Sequence, residues 1–243
     1  MSRHETSLQI QNVSFYKQLS QKIVVSHYFA SMELQTTFQT FRFGVYKVNA
    51  LVPDPLLLQQ WYTKQLQKNP TTTAPYWAQV WPAAKALCEF IATQPHWLEN
   101  KNVLELAAGL GLPSLLAAQI ASEVVCSDTV PAAVELMQQS IEKNQLTNIK
   151  ATVIDWNKLP AELSCDVLVL SDINYEPQVF ETVFNVIVSF LQKGTTVILA
   201  TPQRLMAKPF IDRIMPYSIF CDEKFVCNST PVVACSIYVL KEA

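Results

Sequence analysis

Glycine is scarce in this sequence of 243 residues, and its scarcity gives each glycine weight. Only four occur: Gly44, Gly109, Gly111 and Gly194. A chain so poor in glycine keeps it where the backbone must turn tightly or must let another group approach closely. The close pair Gly109 and Gly111 is therefore the first place to look for a bound ligand.

Several other features are missing, and each absence argues against a class of protein. Lys and Arg number 18 against 20 Asp and Glu, so no excess of positive charge favours nucleic acid as a partner. The six cysteines form no Cys-x-x-Cys pair and no histidine stands at zinc-ligand spacing, so we expect no metal site. No run approaches the ~18–20 consecutive apolar residues of a membrane-spanning helix, and no leader pattern opens the chain. We therefore expect a soluble, cytoplasmic protein with reduced cysteines and no membrane partner.

The first part of the chain has a different character from the rest. We expect residues 1–70 to form an N-terminal extension with β-type stretches at 22–25 and 41–48. A helix should follow from Asp54-Pro55, because Asp caps helix starts and Pro suits the first helical position. Residues 71–243 should form the main domain.

After residue 100, short β-branched runs alternate with helix-like segments, a pattern that predicts a parallel sheet with right-handed crossovers. We predict a doubly wound, Rossmann-like α/β fold with a seven-stranded, mostly parallel sheet that ends in an antiparallel hairpin at its edge. The expected strands are 102–106, 123–127, 150–154, 166–170, 195–200, 217–226 and 232–240, and the expected helices are 77–92, 112–120, 131–144 and 177–192.

Gly109 and Gly111 lie between the first of these strands and the next helix, which is where open α/β sheets bind nucleotides. Three acids accompany the loop: Glu105 lies within that strand, Asp128 ends the second and Asp155 ends the third. Asp128 has the spacing of an acid that binds ribose hydroxyls. Asp155 offers an acceptor for an exocyclic amine, and Trp156 beside it offers an aromatic face for a purine.

Other interpretations of these residues stay open at this point. The loop could be a turn without a ligand, and Asp128 could simply cap the following helix. A dinucleotide oxidoreductase is the main rival, but Ser114 occupies the place of the third glycine in its fingerprint. Glu105 would also repel a diphosphate, whereas it suits a zwitterionic or cationic ligand.

The segment 103–111, Val-Leu-Glu-Leu-Ala-Ala-Gly-Leu-Gly, resembles motif I of the class I methyltransferases, with Ala107 in place of the first glycine. Pro-Tyr-Trp-Ala at 75–78 and Asp-Ile-Asn-Tyr at 172–175 resemble paired signatures of methyltransferase family 16, a seven-strand lysine methyltransferase family. The likeness is greatest to its electron-transfer flavoprotein β-subunit lysine methyltransferases and runs from about residue 53 almost to the C-terminus.

This resemblance implies S-adenosylmethionine as the cofactor and a protein lysine as the methyl acceptor. It further implies that Trp81 packs near the cofactor and that Asp172 and Tyr175 lie beside the acceptor. Our hypothesis is that Asp172 mainly docks and orients the amine while Tyr175 accepts or donates one hydrogen bond at the methyl-transfer position. For each of these three residues a structural role, in the core, at the surface or as a helix cap, is the alternative. Glu105, Ala107, Gly109 and Gly111 would hold the methionine end of the cofactor, Asp128 its ribose, and Asp155 with Trp156 its adenine.

Two other functions are compatible with the same residues. One is a small-molecule methyltransferase, because a fold and a cofactor site do not determine the acceptor. The other is a module that binds S-adenosylmethionine without catalysis. Histidine base catalysis is not expected, since His4, His27 and His96 all lie away from the predicted strand ends.

Overall fold

The computed structural model describes residues 35–227 and 232–242. The predicted stretch 22–25 lies outside these residues. The strands are β1 (Thr36–Phe43), β2 (Tyr46–Pro53), β3 (Asn102–Leu106), β4 (Glu123–Asp128), β5 (Ile149–Val153), β6 (Val167–Ser171), β7 (Thr196–Pro202), β8 (Ser218–Val226) and β9 (Val233–Leu240). The α-helices are α1 (Pro55–Lys68), α2 (Pro82–Thr93), α3 (Leu112–Ala117), α4 (Pro131–Lys143), α5 (Phe180–Leu191) and α6 (Lys208–Ile214).

Seven strands form one sheet in the order β5-β4-β3-β6-β7-β9-β8. The first five of these are parallel, whereas β9 pairs antiparallel with both β7 and β8. The predicted doubly wound sheet with a C-terminal antiparallel hairpin at its edge is therefore confirmed. In such a sheet the parallel strands end at one common edge, and β3 and β6 mark the point where the strand order reverses.

Alternating side chains of the strands point to opposite faces and build two cores. On one face, residues such as Val103 pack with α2, α3, α4 and the β1–β2 hairpin. On the other face, residues such as Leu104 pack with α5 and α6. The cores hold the sheet between two helical layers, which keeps the carboxyl ends of its central strands in register.

The start of α1 follows the prediction. Asp54 caps the helix, with its Oδ1 accepting hydrogen bonds from the backbone N–H groups of Leu56 and Leu57 at 2.9 Å each. Pro55 occupies the first helical position, where its missing N–H costs nothing. The helix ends at Lys68, just before Asn69 and Pro70.

The helices expected over 112–120 and 177–192 are each somewhat shorter in the structure, and two other predicted elements differ more in their extent. The helix expected over 77–92 begins only at Pro82, and a short 3₁₀ turn at Tyr76–Ala78 precedes it. Pro82 occupies the first helical position, so it begins the helix instead of lying within it. The single strand expected over 41–48 is instead a hairpin, because the chain reverses at Gly44, whose φ is 57°.

The helix α6 was not predicted. It is short, with seven residues, and Pro209 lies in its first turn. Its buried side chains are Phe210 and Ile214, which are four residues apart and cover the core beside α5. Among the described residues no helix is both long and apolar enough to cross a membrane.

Candidate functional site

A cleft of about 320 Å³ opens at the carboxyl edge of the sheet, above the ends of β3, β4 and β6. The loop after β3 forms its floor, and the segment before α2 forms one wall. Seven of the ten predicted site residues line this cleft: Trp81, Ala107, Gly109, Asp128, Trp156, Asp172 and Tyr175. The remaining three are Glu105, Gly111 and Asp155.

Both glycines of the loop are required by their surroundings. Gly109 has a φ of 56°, and a Cβ there would lie 3.0 Å from the carbonyl oxygen of Trp77. Gly111 has a φ of 70°, and a Cβ there would lie 2.9 Å from the side chain of Met137 in α4. The loop therefore turns tightly and packs closely on both sides, as the scarcity of glycine predicted.

Glu105 lies beneath the loop and is fully buried. Its Oε2 accepts hydrogen bonds from the backbone N–H of Ser114, at 3.0 Å, and from the Ser114 hydroxyl. Its Oε1 is buried and has no partner among the described residues. Burial raises the pKa of Glu105 to about 8, although the bonds from Ser114 act in the opposite direction.

Asp128 links the end of β4 to the glycine loop. Its Oδ2 accepts a hydrogen bond from the Gly109 N–H and its Oδ1 accepts one from the Val130 N–H, both at 3.0 Å. Burial raises its pKa, and these backbone bonds partly offset that effect. The side chain thus shapes the loop and also faces the cleft, so its turn-forming role is compatible with the predicted contact to a ligand.

Of the two predicted adenine-site residues, only Trp156 lines the cleft. The carboxylate of Asp155 instead begins the 3₁₀ turn at Trp156–Lys158, where its Oδ1 accepts hydrogen bonds from the backbone and side-chain nitrogens of Asn157, both at 2.9 Å. Those bonds lower the pKa of Asp155. Asn157 lines the cleft beside Trp156, so the turn that Asp155 holds positions both of them.

An aromatic wall stands at the other end of the cleft. The rings of Tyr76 and Tyr175 lie 5.2 Å apart between centroids, and those of Tyr76 and Trp81 lie 6.2 Å apart. The indole N–H of Trp81 donates to the carbonyl oxygen of Tyr76 at 2.7 Å, which fixes the wall before α2 begins. Tyr175 is half-buried, and burial is the main reason that its pKa is raised.

Asp172 lies at the end of β6 and is nearly buried. Arg204 holds it in a two-pronged ion pair, with Nη1 at 2.5 Å from Oδ1 and Nη2 at 3.0 Å from Oδ2. Asp172 therefore meets the cleft as half of a neutral pair and not as a free anion. Arg204 and Tyr76 were both missed from the sequence, although Tyr76 is part of the quoted segment at 75–78 and Arg204 follows the strand next to β6.

A profile of methyltransferase family 16, described as lysine methyltransferase, matches residues 63–215, which is more than half of the chain. The chain belongs to the lysine methyltransferase family. The family expected from the segments at 75–78, 103–111 and 172–175 is thereby confirmed. Its finer likeness, to the electron-transfer flavoprotein β-subunit enzymes, stays a prediction.

Relatives of this lysine methyltransferase family member include enzymes named for different acceptors. Human histone-arginine methyltransferase METTL23 is 31% identical over 124 residues, which is 49% of this chain and 65% of that protein. Calmodulin-lysine N-methyltransferase of Arabidopsis thaliana is 33% identical over 135 residues, or 51% of this chain and 44% of that protein. The matched part of the chain thus spans less than two thirds of the length of these relatives.

Solved structures show the same fold as this family member. The N-methyltransferase NodS of Bradyrhizobium japonicum, solved with S-adenosyl-L-homocysteine, superposes with a TM-score of 0.55 at 13% identity. The match covers 74% of this chain and 98% of that one. The shared fold agrees with the strand order described above.

Proposed function

We propose that this protein is an S-adenosylmethionine-dependent methyltransferase that acts on a lysine side chain of another protein. The observation that carries the proposal is the convergence, at one sheet edge, of a tight glycine loop, the buried acids Glu105 and Asp128, and an aromatic wall. Membership of the lysine methyltransferase family supports the same activity. We further propose residues 71–243 as the methyltransferase domain and 1–70 as its extension, because every residue that lines the cleft follows residue 70.

The residues at the sheet edge suit this cofactor. The absence of a side chain at Gly109 lets the loop pack closely against the Trp77 backbone in the wall of the cleft, and the Oε1 of Glu105 is a buried oxygen beneath the loop that has no hydrogen-bond partner among the described residues. We assign the methionine end to Glu105, Ala107, Gly109 and Gly111. We assign the ribose to Asp128 and the adenine to Trp156. Asp155 contributes to the adenine site by holding the turn that begins at Trp156. Trp81 closes the cofactor end of the aromatic wall.

S-adenosylmethionine supplies an activated methyl group on a sulfonium sulfur, so the protein chiefly has to align the acceptor and exclude water. Tyr76, Trp81 and Tyr175 line this end of the cleft, and in the proposed reaction their rings cover the acceptor and keep water away from it. Tyr175 provides a hydroxyl for one hydrogen bond to the acceptor. Asp172, held by Arg204, retains unused lone pairs that orient an incoming amine.

Lysine is the acceptor that the family description favours, and the relatives together with the resemblance of the segments at 75–78 and 172–175 suggest specific acceptors to test. We would incubate the full chain with labelled S-adenosylmethionine and calmodulin, core histones or the electron-transfer flavoprotein β subunit, and locate the label by mass spectrometry. Label on lysine is the expected result. Label on arginine would contradict the acceptor assignment, and transfer only to small molecules would contradict the protein substrate.

Binding of the cofactor is tested separately by isothermal titration. Asp128→Ala should weaken binding about tenfold to a hundredfold, because a hydrogen bond to a charged group contributes about 1.5–3 kcal/mol. Asp212→Ala removes a carboxylate that lies on α6 with an exposed partner, Lys208, and should leave the affinity unchanged. No heat with the unaltered protein would overturn the cofactor assignment, and heat without any transfer would indicate a binding module.

A further inference from the structure

The ion pair of Asp172 and Arg204 is built into the two neighbouring strands that end beside the cleft. The backbone N–H of Asp172 donates to the carbonyl oxygen of Ala200 in β7 at 2.9 Å. Just past the end of β7, the Gln203 N–H donates to the carbonyl oxygen of Ala234 in β9 at 3.0 Å, which anchors the segment that carries Arg204. The two side chains are therefore held together by the sheet itself.

The pair is unevenly exposed. The side chain of Asp172 is 6% exposed, whereas that of Arg204 is 30% exposed. A carboxylate so deeply buried needs a cationic partner, because an unpaired buried charge is costly. Arg204 meets this need with a planar, two-pronged contact that a lysine cannot reproduce.

The charge of this pair matters for an amine that must be methylated. A lysine amine has an ordinary pKa of ~10.4 and can attack only after losing its proton. An unpaired carboxylate within ~4–6 Å stabilises the protonated form and raises the pKa of the amine. A neutral pair orients the amine by a hydrogen bond without that electrostatic cost.

Other titratable groups face the same region from the surrounding elements. Tyr175 follows Asp172 in the chain, and its pKa is raised first by burial and then by Glu176, Tyr76, Asp128 of β4 and Asp172. On the other side, Cys235 of β9 is buried, and Asp172, Arg204 and Glu89 of α2 act on its pKa, which burial raises to about 11. The substitutions described below leave each of these residues other than Asp172 and Arg204 in place.

We propose that Arg204 is a positioning residue that cancels the charge of Asp172, so that the bound acceptor amine gives up its proton near neutral pH. The inference rests on the proposed function. The amine first releases a proton to solvent, and its lone pair then forms the new N–C bond. The S–C bond breaks as its electron pair passes to sulfur, so the sulfonium becomes a neutral thioether and the methylated nitrogen takes the positive charge.

Two substitutions shift the balance of charge in opposite directions. Arg204→Gln leaves Asp172 unpaired, so the pH profile of kcat should move about 1–3 units to higher pH and KM should fall. Asp172→Asn leaves Arg204 unpaired, so the profile should move to lower pH and KM should rise. Arg213→Gln breaks a surface pair with Glu181, also two-pronged, and should leave the profile in place.

A readout that needs no methyl transfer makes the test independent of the proposed function. Binding of n-butylammonium to the full chain, followed by NMR near neutral pH, should tighten several-fold in Arg204→Gln and weaken in Asp172→Asn. If transfer fails with every acceptor but these affinities change as expected, the proposed function is wrong, whereas the cancellation of the Asp172 charge by Arg204 stands. If the pH profiles of kcat do not shift, or if the variants bind n-butylammonium as tightly as the unaltered protein does, the proposed role of Arg204 is wrong. If Arg204→Gln does not fold, the shift of the pH profile in Asp172→Asn tests the proposal alone.

Discussion

Ala107 and Asp172 line the cleft in a backbone conformation that favours glycine. Their φ angles are 51° and 54°, and in the described part of the chain only two other non-glycine residues, Asn100 and Gln145, have a positive φ. Asp tolerates this region better than most residues because its short side chain can bond locally, whereas Ala has no such compensation. Strain of this kind persists only where the surrounding structure holds it in place.

Ala107→Gly should stabilise the protein. The left-handed conformation costs alanine roughly 1–2 kcal/mol in the native state, and glycine removes that cost. Glycine also gives the unfolded chain more conformational freedom, which offsets about 0.4–1 kcal/mol of the gain. We expect a gain of about 0.5–1 kcal/mol in the free energy of unfolding, measured with urea.

Ala108→Gly is the matched control, since Ala108 lies next in the same loop without a positive φ. It should lower the free energy of unfolding by about 0.4–1 kcal/mol. If both substitutions change the free energy of unfolding in the same direction, the claim that the backbone at Ala107 is strained is wrong.

Individual side chains of the cleft were predictable to different degrees. Asp128 and Trp156 follow from their places at strand ends, because parallel strands end at one edge. Arg204 does not follow from any local spacing, because it lies 32 residues from Asp172 in the chain. Its role depends on β6 and β7 being neighbours and on the burial of Asp172, and neither is visible in a short motif.

At the scale of elements, the β1–β2 hairpin is fastened to α4 through its free edge. Asn144, just after α4, accepts a hydrogen bond from the Asn49 N–H at 2.9 Å and donates one to the Asn49 carbonyl oxygen at 2.6 Å. Ser140 accepts a further bond from the Leu51 N–H at 2.9 Å. Side chains thus satisfy a strand edge that would otherwise be open to pairing with another chain.

Asn144→Ala should loosen this hairpin. It leaves two backbone groups of Asn49 without partners, at a cost of about 1–3 kcal/mol in the free energy of unfolding. Hydrogen exchange at the Asn49 amide should accelerate accordingly. Asn185→Ala is the control, because among the described residues that exposed amide makes one long hydrogen bond, to Glu181 at 3.4 Å, and its loss should change stability by less than about 0.5 kcal/mol. If the Asn49 amide exchanges in Asn144→Ala as slowly as in the unaltered protein, Asn144 does not hold the hairpin to α4.

The parallel strands were predictable because each is a short, buried, β-branched run with a helix pattern on either side. The errors arose where local patterns were ambiguous. Residues 41–48 keep their alternation through Gly44, so a hairpin looked like one strand. The helix α6 has only seven residues, which is too short for a helical repeat of apolar residues to be recognised in the sequence. Its position depends on packing against α5.

At the scale of the whole molecule, the sheet brings a buried acid to the centre of the protein. Glu105 lies in β3, between β4 and β6, and its carboxyl group has no exposure. Its pKa is raised from the ordinary 4.5 to about 8, first by burial and in part by Asp128. Global stability should therefore depend on pH through this group.

Between pH values of about 4.5 and 8 the native state holds a proton on Glu105 that the unfolded chain has released, so stability falls as pH rises. Each pH unit in this window costs about 1.4 kcal/mol. Glu105→Gln mimics the protonated form and can still accept both bonds from Ser114, so this slope should disappear from urea unfolding measured at about pH 5 and about pH 8. The variant should match the unaltered protein at the lower pH and exceed its stability at the higher. Ser114→Ala keeps the acid and should keep the slope. A slope that survives Glu105→Gln would assign the pH dependence to another group, with Asp128 the next to test because its pKa is raised as well.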